Sequence, residues 1–322
     1  MAPLYTFGVG YDVGLQTVSG LVRSNRNIIA ERWMDSVGDY KEPMRIQQSR
    51  PTIEGAGVRL KRVFGPREAS LVDPFLLLDD FHSSNPEDYI AGFPWHPHRG
   101  IETVTYMIDG VVEHGDSIGN KGVIGSGDVQ WMTAGSGILH QEMPQRFEGM
   151  MQGFQLWVNL PASKKMMSPR YRDVSRSQIP SHSVGDGVEV KVIAGEFDGT
   201  KGPVRDLVVE TEYFDVSLKA GATFGHNADP RMRSVAYLYE GTARFGKEVK
   251  ELVGPESLVM LGEGRSISAV AEGKGAKFLL ASGVPLRERI AWGGPIVMNT
   301  QEELDLAFRE LSEGTFIKSK NR

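Results

Sequence analysis

The chain has 322 residues with 41 acidic against 36 basic side chains, a formal charge of −5 and a pI near 5.9, so no global basic field favours direct contact with nucleic acid or an anionic membrane. The absence of cysteine excludes a disulfide scaffold and any thiolate ligand and fits a cytoplasmic setting, or the nucleus in a eukaryote. The 38 glycines and 17 prolines that punctuate short Val/Ile/Tyr-rich runs point to an all-β protein, and the length predicts two domains.

Residues 1–50 read as a poorly ordered N-terminal extension. Met1 to Ala30 carries Arg23, Arg26 and Asp12 without a compact apolar stretch, and arginine is too sparse for a transit peptide. No later stretch approaches the roughly 18 apolar residues of a membrane span. A first β module is predicted over 51–175, with strand-like runs near 57–64, 74–81, 101–108, 121–133 and 152–160. A polar stretch from Ala162 to Ser183 reads as the connection. The second module, over 176–322, has runs near 188–194, 206–218, 234–240, 256–261 and 276–282.

The first module holds the chemistry. His96-Pro97-His98 and His140-Gln141-Glu142 are two pairs of donors at i,i+2 spacing. On a strand such pairs share a face, while the residue between points away. Pro97 fixes its own φ and pushes His96 into an extended conformation. A lone His-X-His is commonly two exposed or hydrogen-bonded imidazoles. Here three of the seven histidines fall in two triplets within one glycine-punctuated β region, which favours a metal site. Three nitrogens and one oxygen suit Fe(II), Mn(II), Ni(II), Cu(II) or Zn(II).

The second module looks like a copy of the first. Thr103–Gly110 matches Ser234–Gly241 without a gap, and extension of that register places His96 opposite Asn227 and His98 opposite Asp229. Met132–Gly135 matches Leu261–Gly264, which sets His140 opposite Ala269 and Glu142 opposite Ala271. The second copy would then lack the donor set, and one metal per chain is expected. At the end, Thr300 and Glu303 form a capping box before a stripe of Leu304, Ala307, Phe308 and Leu311, with Gly314 as the stop.

The strings HPHRGIETVTY at 96–106, GDVQWMTAG at 127–135, GILHQEMP at 137–144, LWVNLP at 156–161 and GPIVMNT at 294–300 closely resemble the pirin family of bicupin proteins. The resemblance runs from about Gly55 to Gly314. It implies two stacked antiparallel jelly-roll β-barrels with a C-terminal helix. The N-terminal cupin would bind one metal, usually iron, through His96, His98, His140 and Glu142, and the C-terminal cupin none. Trp95 departs from the family, where many relatives carry Asp. Two roles are implied. One is a quercetin 2,3-dioxygenase acting on a flavonol-like small molecule; the other is an iron-dependent transcriptional co-regulator working through a protein partner.

For the first role, an ion with open positions suits a flavonol entering through its 3-hydroxyl, which the ion makes more acidic. Glu142 is the candidate base. Glu102 lies four residues after His98, so strand parity points it inward, either to the shell behind the imidazoles or to a buried, satisfied place with no functional role. Trp131, Met132 and Tyr106 read as barrel core. His114 reads as exposed, and His82 and His226 show no partner pattern.

Overall fold

A computed structural model describes residues 40–247 and 251–318. Its strands divide into two modules. Arg170–Val174, Val129–Thr133, Ile101–Asp109, Met151–Asn159, Phe75–Ser83, Val58–Phe64 and Arg50–Glu54 form, in that spatial order, a seven-stranded antiparallel sheet. A four-stranded sheet of Phe93–His98, Ile138–Pro144, Val112–Asp116 and Lys121–Ile124 completes the first module. The second module repeats the order with Pro43–Gln48, Ser257–Leu261, Arg233–Phe245, Ser266–Gly283, Thr211–Leu218, Val188–Ala194 and Ser181–Val184. Its strand Ser266–Gly283 is long enough to serve both layers: one half pairs with Thr223–Asn227, the other with Thr211–Leu218.

Burial follows from this layering. Ile138–Pro144 alternates buried with half-buried residues, the mark of a strand with one face inside a barrel. Val129–Thr133 and Ser257–Leu261 are buried on both faces, because one face lines a barrel and the other meets the opposite module. Val104, Tyr106, Trp131, Phe154 and Leu156 pack there against Tyr213, Val235, Tyr237, Leu258 and Met260 in one continuous core. Full burial of such side chains is worth about 1.5–3 kcal/mol each.

Two hydrogen bonds cross this seam reciprocally. The Tyr106 hydroxyl of the first module donates to Asp215 Oδ2 of the second at 2.7 Å, and the Tyr237 hydroxyl of the second donates to Asp80 Oδ2 of the first at 2.6 Å. Each aspartate has further partners. Tyr239 and Lys191 bond Asp215, and His82 Nδ1 lies 2.8 Å from Asp80 Oδ1. His82 therefore has a partner after all. Asp80 stands two residues earlier on the same strand face, a spacing the sequence already displayed.

Several expectations change. Pro43–Gln48, inside the expected extension, pairs with Ser257–Leu261 as the edge of the second module's sheet; residues 1–39 lie outside the described residues. The stretch 162–183 is more than a connection, since Arg170–Val174 pairs with Val129–Thr133 in the first sheet. The run 121–133 is two strands, split by a turn in which Asp128 accepts from the Gly125 amide. The helix Gln301–Ser312 has both capping-box bonds, and it buries Leu304 and Ala307 but leaves Phe308 41% exposed.

Removing the Tyr237 hydroxyl with Tyr237→Phe leaves Asp80 short of a buried donor and should cost about 1–3 kcal/mol in urea unfolding. Hydrogen bonding to Asp80 raises the His82 pKa above its usual value. A raised imidazole stabilises the fold below its ordinary pKa, and that contribution disappears as pH rises through the raised value. The urea-midpoint gap between the native chain and His82→Gln should therefore be widest below the ordinary histidine value of ~6.5 and narrow as pH rises above it.

Candidate metal centre

The strand Phe93–His98 pairs with Ile138–Pro144 so that His140 lies opposite His96, and Ile138 opposite His98. That register gathers three imidazoles, with one donor atom from each all within 4.8 Å of one another. His98 and His140 are buried, and His96 is half-buried. Carbonyl oxygens only accept, so the contacts of His96 Nδ1 to Pro94 O (2.8 Å) and of His98 Nδ1 to Pro295 O (3.0 Å) place a proton on each Nδ1. The two Nε2 atoms face each other at 3.0 Å, and each presents a lone pair whenever its ring is neutral.

His140 adds two buried ring nitrogens with no protein partner. Burial, then the neighbouring His96, lowers the His98 pKa to about 3. His140 is held well below the usual histidine value by burial first, then by His98, His96 and His114. Neutral imidazoles whose lone pairs converge without a donor are unfavourable alone and complementary to a cation. Buried polar atoms left unpaired in this way call for an explanation, and a divalent ion that accepts nitrogen donors supplies one.

The two glutamates separate. Glu142 borders the same cavity, where Oε1 accepts from Thr105 Oγ1 at 2.8 Å and Oε2 from Gln155 Nε2 at 2.9 Å. Each oxygen keeps a further lone pair. Glu102 does not stand behind the imidazoles. The strand carrying His98 ends there, Gly100 turns the chain at φ 79°, and a new strand begins at Ile101. Parity is reset, so Thr103 and Thr105 share the barrel face, while Glu102 joins Val104 and Tyr106 on the other. Its Oε1 accepts from Thr133 Oγ1 at 2.5 Å. His114, expected outside, is buried opposite Glu142 and stacks on Tyr171 at 6.0 Å.

The cluster opens on a cavity of about 660 Å³, within the range of small-molecule sites. Phe93, Trp95, Trp157 and Trp292 give it aromatic walls. Trp157 sets its edge against His98 at 5.1 Å, and Trp95, the departure before His-Pro-His, is an exposed rim residue. Away from the imidazoles Arg62 grips Asp79 through two bonds of 2.9 and 2.8 Å, and burial lifts the Asp79 pKa to about 6 against that pairing. Trp292, Gly294 and Pro295 reach this cavity from beyond the second module. No spacing argument reaches Pro295, which is 197 residues from His98. Gln155 and Trp157 stood within or beside a motif already noted, yet nothing in one sequence gave them a role.

The same positions in the second module differ from the expected ones. There Ala269 pairs with Phe224 and Ile267 with His226, as His140 does with His96 and Ile138 with His98. Phe224 and His226 thus answer the two histidines, not Asn227 and Asp229. The loop before the following strand is three residues longer in the second copy, and gapless extension ran through it. Ala269 and Ala271 keep the assigned places, opposite Phe245 and Ala243. His226 bonds Glu212 at 3.0 Å, again a partner unforeseen from the sequence.

Two antiparallel modules of one topology, with a histidine cluster inside the first, define a bicupin. Residues 57–158 match the pirin family and 213–317 the pirin C-terminal cupin domain, and the chain belongs to the pirin family. It is 44% identical over 274 residues to a pirin-like protein of Caulobacter vibrioides, covering 85% of this chain and 98% of that one. To human pirin it is 41% identical over 284 residues, with 86% and 96% covered. A solved Acinetobacter baumannii structure, titled quercetin 2,3-dioxygenase, superposes with a TM-score of 0.80 at 32% identity, covering 86% of this chain and 98% of its own.

In the metal-free protein, imidazole NMR should show His98 and His140 neutral from about pH 8 to pH 5, while His82 titrates above the ordinary histidine value of ~6.5. Protonation of His98 within that window would contradict the packing described.

Proposed function

We propose that this chain binds one divalent ion, iron(II) foremost, through His96, His98, His140 and Glu142, and acts as a dioxygenase of the quercetin 2,3-dioxygenase type on flavonol-like substrates. The observation that carries the reading is the convergence of three imidazoles, two of them buried and one with no partner at either ring nitrogen, beside an aromatic cavity. The likeness to the Acinetobacter baumannii quercetin 2,3-dioxygenase supports the reaction class.

When bound, such an ion acidifies a hydroxyl placed against it. The protein does the rest. Trp157 and Trp292, whose rings lie 6.0 Å apart, present flat apolar surface to a planar polyphenol. Thr105 and Gln155 hold the Glu142 carboxylate in place, so that a spare lone pair can take the hydroxyl proton. The enclosing walls keep bulk water from the deprotonated substrate.

Iron-loaded native protein should turn over quercetin, and Glu142→Gln should remove most of that activity and weaken metal binding. Glu102→Gln should alter neither, because its carboxylate faces Thr133. His98→Ala and His140→Ala should each lose metal by more than the ~10–100-fold typical of a supporting residue, with one ion per native chain by elemental analysis. Stoichiometric iron in both alanine variants would sink the ligand assignment. A loaded protein inert toward quercetin would instead favour the metal-dependent regulator.

A further inference from the structure

Lys165 follows the turn Ala162–Lys164 and is 1% exposed, in the first module but near the end of the second. Its ammonium donates to Gly100 O at 2.8 Å, Asn159 Oδ1 at 2.7 Å and Val297 O at 2.9 Å. Three donors meet three acceptors, a full complement for an ammonium group. The acceptors are not a random set. Gly100 comes two residues after His98. Asn159 ends a strand of the first module's large sheet. Val297 belongs to the strand Ile296–Met298, beside Pro295, whose carbonyl accepts the His98 Nδ1 proton.

The backbone is stitched at the same point. The Val297 amide donates to Arg99 O at 3.1 Å, and Arg99 bridges Ile296 in parallel. Gly100 has positive φ, and a Cβ there would strike the Val297 carbonyl, so this close approach requires glycine. Next to it Arg99 donates to Ser136 O and Phe316 O at 2.8 Å each and pairs with Glu310 of the C-terminal helix. The segment after the second module is thus fastened onto the His-Pro-His strand.

We propose that Lys165 is a positioning residue for the metal centre: by clamping Val297 to Gly100 it holds the Pro295 carbonyl against His98, which fixes the Nδ1–H tautomer and aims Nε2 at the ion. The proposal rests on the reading of His98 as a ligand. His96 provides an internal contrast. Its Nδ1 partner is Pro94 O, two residues away on its own strand, and no contact of Lys165 reaches it. A lysine that only supported the fold would disturb both imidazoles or neither. A lysine that holds the Pro295 strap changes the tautomer of His98 alone.

Long-range ¹H–¹⁵N spectra of the metal-free full chain read this directly. Native protein should show His98 as one Nδ1–H tautomer. In Lys165→Met, His98 should become a mixture with the Nε2–H form while His96 keeps its Nδ1–H tautomer, and Co(II) affinity by competition titration should fall about 10–100-fold, as for other supporting residues of metal ligands. If the methionine variant does not fold, Asn159→Ala removes one of the three acceptors and should shift His98 in the same direction by less. Folded variants with an unaltered His98 tautomer and native Co(II) affinity overturn the proposal. Native protein that binds no Co(II) would refute the ligand reading instead, and the tautomer comparison would still judge the clamp.

Discussion

Neither large sheet closes on itself, so each carries an apolar face that must be covered, and burying the two against each other is the constraint that orders the molecule. A sheet has only two faces. Once Tyr106, Trp131 and Leu156 are committed to the seam with Tyr213, Tyr237 and Met260, the alternate residues of the same strands must point into a barrel. Two polar contacts accompany this packing. Tyrosine hydroxyls from each module reach a buried aspartate of the other, and a sliding of one sheet over the other would break both cross-module bonds at once.

The metal centre inherits its geometry from that division of faces. Thr103 and Thr105 look into the first barrel because Val104 and Tyr106 look into the seam, and this is why Thr105 rather than Glu102 meets Glu142. The strand Phe93–His98 then closes over the other side of the barrel, paired with Ile138–Pro144. Equivalent positions in the second barrel carry Phe224, His226, Ala269 and Ala271, packed with Phe214 and Phe278. One topology thus holds an aromatic-walled cavity with a histidine cluster in one copy and a filled aromatic core in the other, and the difference lies in which side chains fill the interior.

Within the first barrel the imidazoles are arranged at the expense of their own stability. The Nδ1 protons of His96 and His98 are fixed by carbonyls, their Nε2 atoms face one another at 3.0 Å, and His98 and His140 are buried. Such tension is characteristic of a site shaped for what it binds rather than for the fold. The chain's end shares in it, because Pro295 supplies the carbonyl for His98 and Lys165 and Arg99 tie its neighbours down.

The sequence by itself determined what strand parity, local capping and donor chemistry can determine. Two i,i+2 pairs of His and Glu, an all-β alternation repeated in two modules, and a capping box at Thr300 each depend on residues a few positions apart, and each is present in the structure as local geometry dictates. What failed to be legible was non-local or hinged on a single turn. Gly100 reset the parity and sent Glu102 to the opposite face, and a loop three residues longer in the second copy moved the matching positions to Phe224 and His226. His114 was buried by a ring 57 residues further on, and Pro43–Gln48 was claimed by a strand from the far module. Whether the Pro295 carbonyl stands beside His98, and the Val297 carbonyl within reach of the Lys165 ammonium, is decided only when the second module has docked, because that docking returns the C-terminal segment to the first.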